Sequence, residues 1–268
     1  IDLIIEAFGE AEEVAAAYSQ AKDRFDTVLE ELVAELPELR RPSTSAPRSL
    51  MGPTARRMER AVTRFADRFF ITPMAAVAGS VADEMMETMT RGRKLRRAYV
   101  NDGGDIAIFL SPGEEMTAAI AGPGHGFADR VTIRFEDPVR GIATSGWRGR
   151  SHSLGIADAV TVLAADAATA DAAATLIANA VDLPGHPAIE RAPARQLAPD
   201  SDLGDRLVTT NVGKLTDDEV ADALERGRRV ADDFVLRGLI VSAALFLNGQ
   251  SRLAGALAEN SGRMLVHA

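Results

Sequence analysis

Residues of the types that bind phosphate are concentrated between Ala143 and His152. Hydroxyl groups and exposed main-chain amides can donate to phosphate oxygens, and an arginine guanidinium can make two parallel hydrogen bonds to them. The stretch therefore predicts a phosphate-bearing ligand, and a loop that only connects two strands is the alternative. The residues that could serve are Thr144, Ser145, Gly146, Arg148 and Arg150, with the single tryptophan, Trp147, available to stack on a planar ring.

A pair of glycines, Gly103 and Gly104, stands between Asn101 and Asp105, with an apolar, strand-like segment on either side. Paired glycines allow positive φ and let a ligand approach the main chain closely. The pattern indicates a tight turn. This turn either contacts a ligand or is a plain hairpin turn, since Asp-Gly is common in such turns.

An alanine-rich segment carries a second group of polar residues. Eight of the eleven residues from Ala164 to Ala174 are alanine, and a helix over 167–181 places Asp171 and Thr175 on one face. A carboxylate and a hydroxyl are hard oxygen ligands, the kind that Mg²⁺ and Ca²⁺ prefer. The alternative is a helix that packs closely on a sheet, with Asp171 capping its first turn.

Hydrophobic spacing predicts the elements that carry these residues. We expect helices over 10–36 (ended by Pro37), 55–69, 74–89 and 167–181, and one that runs to Leu236 from a capping box of Thr216 and Glu219. We expect strands over 1–7, 98–101, 106–110, 117–121, 131–135, 141–144, 158–163 and 207–212, and a last hairpin that turns at Asn248-Gly249. Clusters of hairpin-like strands interrupted by helices indicate an α+β fold. A single domain over 1–268 is expected, with two intertwined α+β halves as the alternative.

A basic segment rich in proline and serine, 40–48, lies between the first two predicted helices. Its composition predicts a loop. The loop is either a flexible lid over an anionic ligand or a solvated connector.

The composition excludes several classes of protein. The 268 residues carry a formal net charge of −9 and no cysteine, so a disulfide framework, a thiolate zinc site and a thiol nucleophile are ruled out. The acidic balance argues against binding to nucleic acid or to an anionic membrane, and no segment has the roughly 20 apolar residues of a membrane helix. No signal peptide is visible at Ile1, so we expect a cytoplasmic protein, with missing upstream residues as the open alternative.

Four motifs stand in a fixed order along the chain. They are Asn101-Asp102-Gly103-Gly104-Asp105, Ala143-Thr144-Ser145-Gly146, His152, and Ala170-Asp171-Ala172-Ala173-Ala174-Thr175. In this order they resemble the motifs of the FAD:protein FMN transferase (ApbE-like) superfamily. The resemblance spans roughly residues 70–182, and it is closer still to an uncharacterised prokaryotic branch related to that superfamily, which shares the segment 70–79.

The resemblance implies a T-fold-like α+β architecture, in which antiparallel sheets pack with helices and a groove binds flavin. It implies Mg²⁺ held by Asp171, Thr175 and the main-chain carbonyl of Ala78. It also implies FAD as substrate or ligand, an acceptor protein with a Ser or Thr hydroxyl, and catalytic roles for His152 and Asp171. The candidate residues for FAD are Asn101, Gly103, Gly104, Asp105, Thr144, Ser145 and Gly146, with Arg148 and Arg150 balancing phosphate charge.

The sequence departs from the superfamily pattern at two places. No lysine stands beside Ala78-Gly79, and the segment after His152 lacks the usual Pro and Thr-Gly. Three hypotheses therefore stay open: Mg²⁺-dependent transfer of FMN from FAD to a target protein, non-catalytic binding of a flavin or nucleotide-like ligand, and an enzyme with a different substrate on the same scaffold. Self-association through the alanine-rich faces is also open.

Overall fold

Helices and antiparallel strands are mixed along the chain, which confirms the α+β class. The structure is a computed structural model that describes residues 2–122 and 126–259, so Ile1 of the first predicted strand lies outside the described residues. Within these ranges the strands are β1 (Leu3–Gly9), β2 (Leu95–Asp102), β3 (Asp105–Leu110), β4 (Glu115–Gly122), β5 (Gly126–Arg134), β6 (Gly141–Ser145), β7 (Ala159–Ala164), β8 (Ile189–Pro193), β9 (Leu207–Val212), β10 (Ser242–Leu247) and β11 (Gln250–Gly255). The helices are α1 (Ala11–Ala34), α2 (Leu36–Leu39), α3 (Pro53–Thr63), α4 (Val77–Thr90), α5 (Ala167–Ala180), α6 (Ala194–Leu197), α7 (Asp217–Leu236) and α8 (Ala256–Glu259), with a 3₁₀ turn over Pro73–Ala76.

The chain divides into two compact units, and the first comprises Ile1–Ala118, Thr132–Ala143 and Leu163–Ala172. Its strands lie in the order β1-β2-β3-β6, and each neighbouring pair is antiparallel. Helix α4 packs on β2 and β3, and α1 packs on α4. The core between them combines small and unbranched side chains, among them Ala17, Ala21, Ala82, Met58, Met85 and Met89, with branched ones such as Val28, Leu32 and Val81.

Helix α1 buries one face because its small and apolar residues recur every three or four positions. The buried residues are Ala17, Ala21, Val28 and Leu32. The sequence predicts that this helix runs to 36 and stops at Pro37, but α1 ends at Ala34, and Pro37 instead lies in the first turn of α2. A proline is tolerated there because the first amides of a helix have no intrahelical acceptor.

The basic segment 40–48 is held against α3 by buried hydrogen bonds. The Ser43 hydroxyl donates to Glu59 at 2.9 Å, and the Arg48 guanidinium donates to the same carboxylate at 2.7 and 3.1 Å. The Glu59 side chain is only 2% exposed. These contacts favour the connector over the flexible lid, because opening the segment would leave a buried carboxylate without its donors.

The second unit comprises Ala119–Val131, Thr144–Val162 and Ala173–Ala268. Three of its strands lie in the order β7-β10-β11, and β8 and β9 form a separate antiparallel pair. Helix α7 packs on β10 and β11. Gly227 lets α7 pack closely against Val181 and Leu245, since a Cβ at this position would stand 2.3 Å from Cγ2 of Val181 and 2.8 Å from Cδ2 of Leu245. None of the helices in the described ranges is both long and apolar enough to cross a membrane.

Two local predictions in this unit are confirmed. Thr216 and Glu219 form the capping box at the start of α7, with each side chain accepting the other residue's main-chain N–H. Asn248 and Gly249 join β10 to β11, both at positive φ. Strand β8 was not predicted, because the short apolar run before Pro193 is broken by Glu190 and Arg191.

Candidate functional site

The tip of the β2–β3 hairpin is the tight turn that the sequence predicts. Gly103 and Gly104 adopt φ of +67° and +116°, and the Asn101 side-chain oxygen accepts the Gly104 N–H at 2.8 Å. The register places Asp102 opposite Asp105, so the two carboxylates leave the same face of the hairpin.

Asp171 lies in the first half of α5 and caps the start of another helix. Its Oδ2 accepts the N–H of Gly79 at 3.0 Å, and the N–H of Ala78 also donates to this carboxylate. Both amides belong to the first turn of α4, where main-chain N–H groups have no acceptor within the helix. The side chain that the resemblance assigns to a metal is therefore fixed in place by α4.

The Asp171 carboxyl is buried in the negative field of two other carboxylates. Burial and the negative charge of Asp105 raise the pKa of Asp171 well above its ordinary value, and the charge of Asp102 raises it further. The hydrogen bonds from Gly79 and Ala78 act in the opposite direction.

Close approach of α4 to the start of α5 explains why small residues are concentrated here. A Cβ at Gly79 would stand 2.2 Å from the main-chain oxygen of Ala167, and one at Gly141 would stand 2.1 Å from the main-chain carbon of Asp166. Real Cβ atoms do not come this close to backbone, so only glycine fits. The alanine-rich segment is thus a packing surface that brings Asp171 to the first turn of α4.

The first turn of α5 is capped by two carboxylates. Asp166 accepts the N–H of Thr169 at 2.6 Å, and Asp83, on α4, accepts those of Ala167 and Ala168 at 3.1 and 2.9 Å. Burial first, and then the charge of Asp166, raise the pKa of Asp83 to about 7, against the opposing effect of its hydrogen bonds.

Sequence reasoning did not identify Asp83, and the alternative in which Asp171 caps its own helix is wrong. Asp166 occupies that capping position instead. Helices α4 and α5 cap each other reciprocally, because Asp83 on α4 serves α5 and Asp171 on α5 serves α4.

In the second unit, the predicted phosphate-binding stretch forms the end of β6 and the loop after it. The hydroxyls of Thr144 and Thr161 are 2.9 Å apart, and a Cβ at Gly146 would stand 2.4 Å from the main-chain oxygen of Asp158. Ser145 is half-buried, while Arg150 and His152 are exposed.

Arg148 is engaged within the protein. Its Nε donates to Asp158 at 3.1 Å, and its guanidinium lies 4.6 Å from the centre of the Trp147 ring. Asp158 in turn accepts the N–H of Asn248 at 2.6 Å. The positive charge of Arg148 is therefore partly balanced by a carboxylate, and one face of Trp147 is already covered.

In the first unit Asp105 and Ala78 lie near Asp171, and Asn101, Gly103 and Gly104 form the hairpin turn that ends at Asp105. The second unit contains Thr144, Ser145, Gly146, Arg148, Arg150, His152 and Thr175. Thr175 is half-buried and follows Asp171 by one turn of α5. Across the ranges that the structure describes, no three His, Asp or Glu side chains form a group that could hold a metal ion by themselves.

A family model described as "AbpE bacteria" matches residues 1–253. A UPF0280 protein of Methanothermobacter thermautotrophicus is 36% identical over 136 residues, which cover 50% of each chain. Another, from Methanothrix thermoacetophila, is 40% identical over 118 residues, or 42% of this chain and 47% of the other. The chain thus spans about half the length of the curated relatives that it matches.

Two solved structures of flavin transferases are also similar. A mutant of flavin transferase ApbE from Vibrio cholerae has a TM-score of 0.49 at 13% identity, covering 96% of this chain and 95% of the other. The apo form of flavinyl transferase ApbE from Pseudomonas stutzeri has a TM-score of 0.41 at 14% identity, covering 72% and 54%.

Proposed function

Because the chain belongs to the family described as AbpE bacteria, we propose that it binds FAD and, with Mg²⁺, transfers FMN from FAD to a Ser or Thr hydroxyl of a target protein. The observation that carries this proposal is the set of charges around Asp171. Its carboxylate is fixed by two amides of α4 and lies in the field of Asp105 and Asp102.

In this proposal Mg²⁺ takes its ligands from the residues that the resemblance implies. Asp171 offers a carboxylate oxygen, Thr175 a hydroxyl and Ala78 a main-chain carbonyl, and all three are oxygen donors of the class that Mg²⁺ takes. Mg²⁺, when bound, neutralises charge on the pyrophosphate and makes the phosphorus more open to attack. The amides of Ala78 and Gly79 hold the Asp171 carboxylate in one orientation, which lowers the cost of ordering it for a ligand.

The proposed reaction moves one phosphoryl group and one proton. The acceptor hydroxyl oxygen bonds to the FMN phosphorus, the bond from that phosphorus to the bridging pyrophosphate oxygen breaks, and AMP leaves. We assign the hydroxyl proton to His152, the exposed imidazole that the resemblance places at the active centre. The main chain at Gly103 and Gly104, which has no side chains to block it, allows close approach of the flavin nucleotide.

A second candidate function, binding of a flavin without catalysis, is supported by the engagement of Arg148. The Nε of this arginine is committed to Asp158 and its guanidinium lies against Trp147, so the Asp158 carboxylate already offsets part of the positive charge that a developing phosphate charge would need. In this candidate the loop after β6 recognises the ligand but does not promote its cleavage.

The test compares the parent chain with Asp171→Asn, using Asp26→Asn as the matched control because Asp26 is an exposed aspartate on α1. FAD binding is followed by flavin fluorescence, Mg²⁺ binding by calorimetry, and AMP release by chromatography with acceptor proteins present. The transferase predicts AMP release that Asp171→Asn abolishes, with weaker Mg²⁺ binding, while Asp26→Asn behaves as the parent. FAD binding without any AMP release supports the binder, and no change in flavin fluorescence at saturating FAD contradicts both candidates.

A further inference from the structure

Six arginines line two adjoining cavities along α3 in the first unit. The larger, of about 600 Å³, is lined by Arg24, Arg56, Arg57, Arg60 and Arg91, and the smaller, of about 250 Å³, by Arg57, Arg60 and Arg64. Because Arg57 and Arg60 line both cavities, the two form one groove, called here the α3 groove. These six guanidinium groups contrast with the net charge of −9 of the whole chain.

The inner arginines of the α3 groove are fixed by glutamates of α4. Arg24 donates to Glu84 at 2.9 Å, and Arg57 donates to Glu87 at 2.6 Å. The Nε of Arg57 is buried and has no hydrogen-bond partner in the described part of the chain. These ion pairs make a rigid floor for the groove.

The outer arginines of the α3 groove, Arg56 and Arg60, carry positive charge that no carboxylate in the described residues balances. Arg56 and Arg60 are exposed, and within residues 2–122 and 126–259 no carboxylate pairs with either of them. Arg56 donates only to the main-chain oxygen of Met51. The two residues are one helical turn apart on α3, which separates them by about 6 Å along the helix axis.

We propose that the α3 groove docks an extended, acidic segment of the acceptor protein, an inference that rests on the proposed function. Carboxylates at alternate positions of an extended chain are about 6.6 Å apart, which matches the rise between Arg56 and Arg60. The groove reaches Ala168, which precedes Asp171 by three residues on α5. A segment docked there is therefore held close to the carboxylate that the proposed reaction uses.

A protein segment fits this groove better than a nucleic acid does. A long polyanion would meet the field of the whole chain, which carries nine surplus negative charges, whereas a short acidic segment meets chiefly the local arginines. Three carboxylates that line the groove, Glu84, Glu87 and Asp166, also limit how much negative charge it accepts.

The test measures fluorescence anisotropy of a labelled peptide of about ten residues in which Asp and Ala alternate. The same peptide with Asn in place of Asp is the neutral control. The parent chain is compared with Arg56→Gln/Arg60→Gln and with Arg226→Gln/Arg229→Gln, which removes the same charge from an exposed face of α7. All titrations are repeated at about 50 and 300 mM salt, because salt screening weakens binding that is driven by charge and leaves apolar binding largely unchanged.

We expect the acidic peptide to bind, to bind more weakly at higher salt, and to lose about tenfold in affinity in Arg56→Gln/Arg60→Gln. The α7 variant should stay within about twofold of the parent. The proposal is overturned if Arg56→Gln/Arg60→Gln binds the acidic peptide like the parent chain, or if the Asn peptide binds equally well. It is also overturned if inorganic triphosphate, or a single-stranded oligothymidylate of the same length, displaces the labelled peptide more strongly than the unlabelled acidic peptide does. The assay contains neither FAD nor Mg²⁺, so its failure leaves the proposed transfer reaction untouched, and absence of AMP release leaves the docking site untouched.

Discussion

Removing the guanidinium that holds the 40–48 segment should destabilise the first unit by several kcal/mol. The change is Arg48→Met, which keeps an unbranched apolar stem of similar length. The Glu59 carboxylate, 2% exposed, would lose the Arg48 donors at 2.7 and 3.1 Å. The main-chain carbonyl of Glu38, 2.7 Å from the same guanidinium, would lose a donor as well.

The expected cost follows from what remains around the carboxylate. Breaking a buried ion pair by deleting one partner costs about 3–5 kcal/mol. Glu59 keeps the Ser43 hydroxyl and the main-chain N–H of residue 48, and Arg48 itself is 21% exposed, so the lower end of that range, about 3 kcal/mol, applies. Urea denaturation at pH 7.5 should show a midpoint lowered by about 1 M.

The cost should also depend on pH in a defined direction. Burial alone would raise the pKa of Glu59, but the hydrogen bonds from Arg48 and Ser43 hold it below its ordinary value of 4.5. In the parent chain this group therefore adds stability above that value, which is lost as the pH falls. In Arg48→Met burial dominates and raises the pKa, so acidification relieves the buried charge. The difference between the two chains should shrink between pH 7 and pH 4.

Two further variants test whether the buried pair of Arg48 and Glu59 holds the segment. Arg41→Met removes an exposed pair with Glu38, whose side chains are 65% and 45% accessible, and should cost less than about 1 kcal/mol. Arg48→Met/Glu59→Met removes both buried charges and should be more stable than Arg48→Met by about 2 kcal/mol. If the single and double variants lose the same stability, or if Arg48→Met loses no more than Arg41→Met, the buried pair does not hold the segment.

Three further substitutions are expected to act through specific contacts. Gly79→Ala should lower the free energy of unfolding by more than about 3 kcal/mol, because its methyl group would stand 2.2 Å from the main-chain oxygen of Ala167; an unchanged melting temperature would contradict the close approach of α4 and α5. Gly227→Ala should cost less in the same assay, about 1–3 kcal/mol, since its methyl group meets the side chains of Val181 and Leu245 rather than backbone and the helix gains propensity; a loss larger than that of Gly79→Ala would refute the distinction. Asp83→Asn should remove a loss of stability that the parent chain shows as the pH rises from 4 to 8. A carboxyl whose pKa is raised to about 7 in the fold lowers the free energy of unfolding by up to about 4 kcal/mol over that range. Urea titrations in which the free energy of unfolding falls equally with pH in both chains would count against this prediction.

Features set by neighbouring residues could be predicted from the sequence. The capping box at Thr216 and the turns at Gly103-Gly104 and Asn248-Gly249 all depend on residues within three positions of one another. Hydrophobic spacing located most helices and strands for the same reason. It could not locate β8, whose pairing with β9 joins segments separated by the intervening α6.

The arrangement around Asp171 could be predicted only in part. The alanine-rich segment and the spacing to Thr175 identify it as a candidate, but its hydrogen bond to Gly79 spans 92 positions of the chain. Asp83 gave no signal, since its acceptor role depends on Ala167 and Ala168, 84 and 85 positions further on. The pairing of Arg148 with Asp158, 10 positions further on, also leaves no local signal, and it makes the arginine less available to a phosphate than its place in the motif indicates.

The reciprocal capping of α4 and α5 ties the opening of one helix end to the opening of the other. Fraying of the first turn of α4 releases the Asp171 carboxylate, and fraying of α5 releases Asp83, so neither end can unwind without stranding a partner of the other. The amides of Gly79, Ala167 and Ala168 should therefore exchange their hydrogens with solvent as one cooperative unit, although they are distant in sequence. A ligand that draws the Asp171 carboxylate toward itself would remove the acceptor of the Ala78 and Gly79 amides. Hydrogen exchange at these two amides would then become faster, so ligand binding could be detected in the main chain.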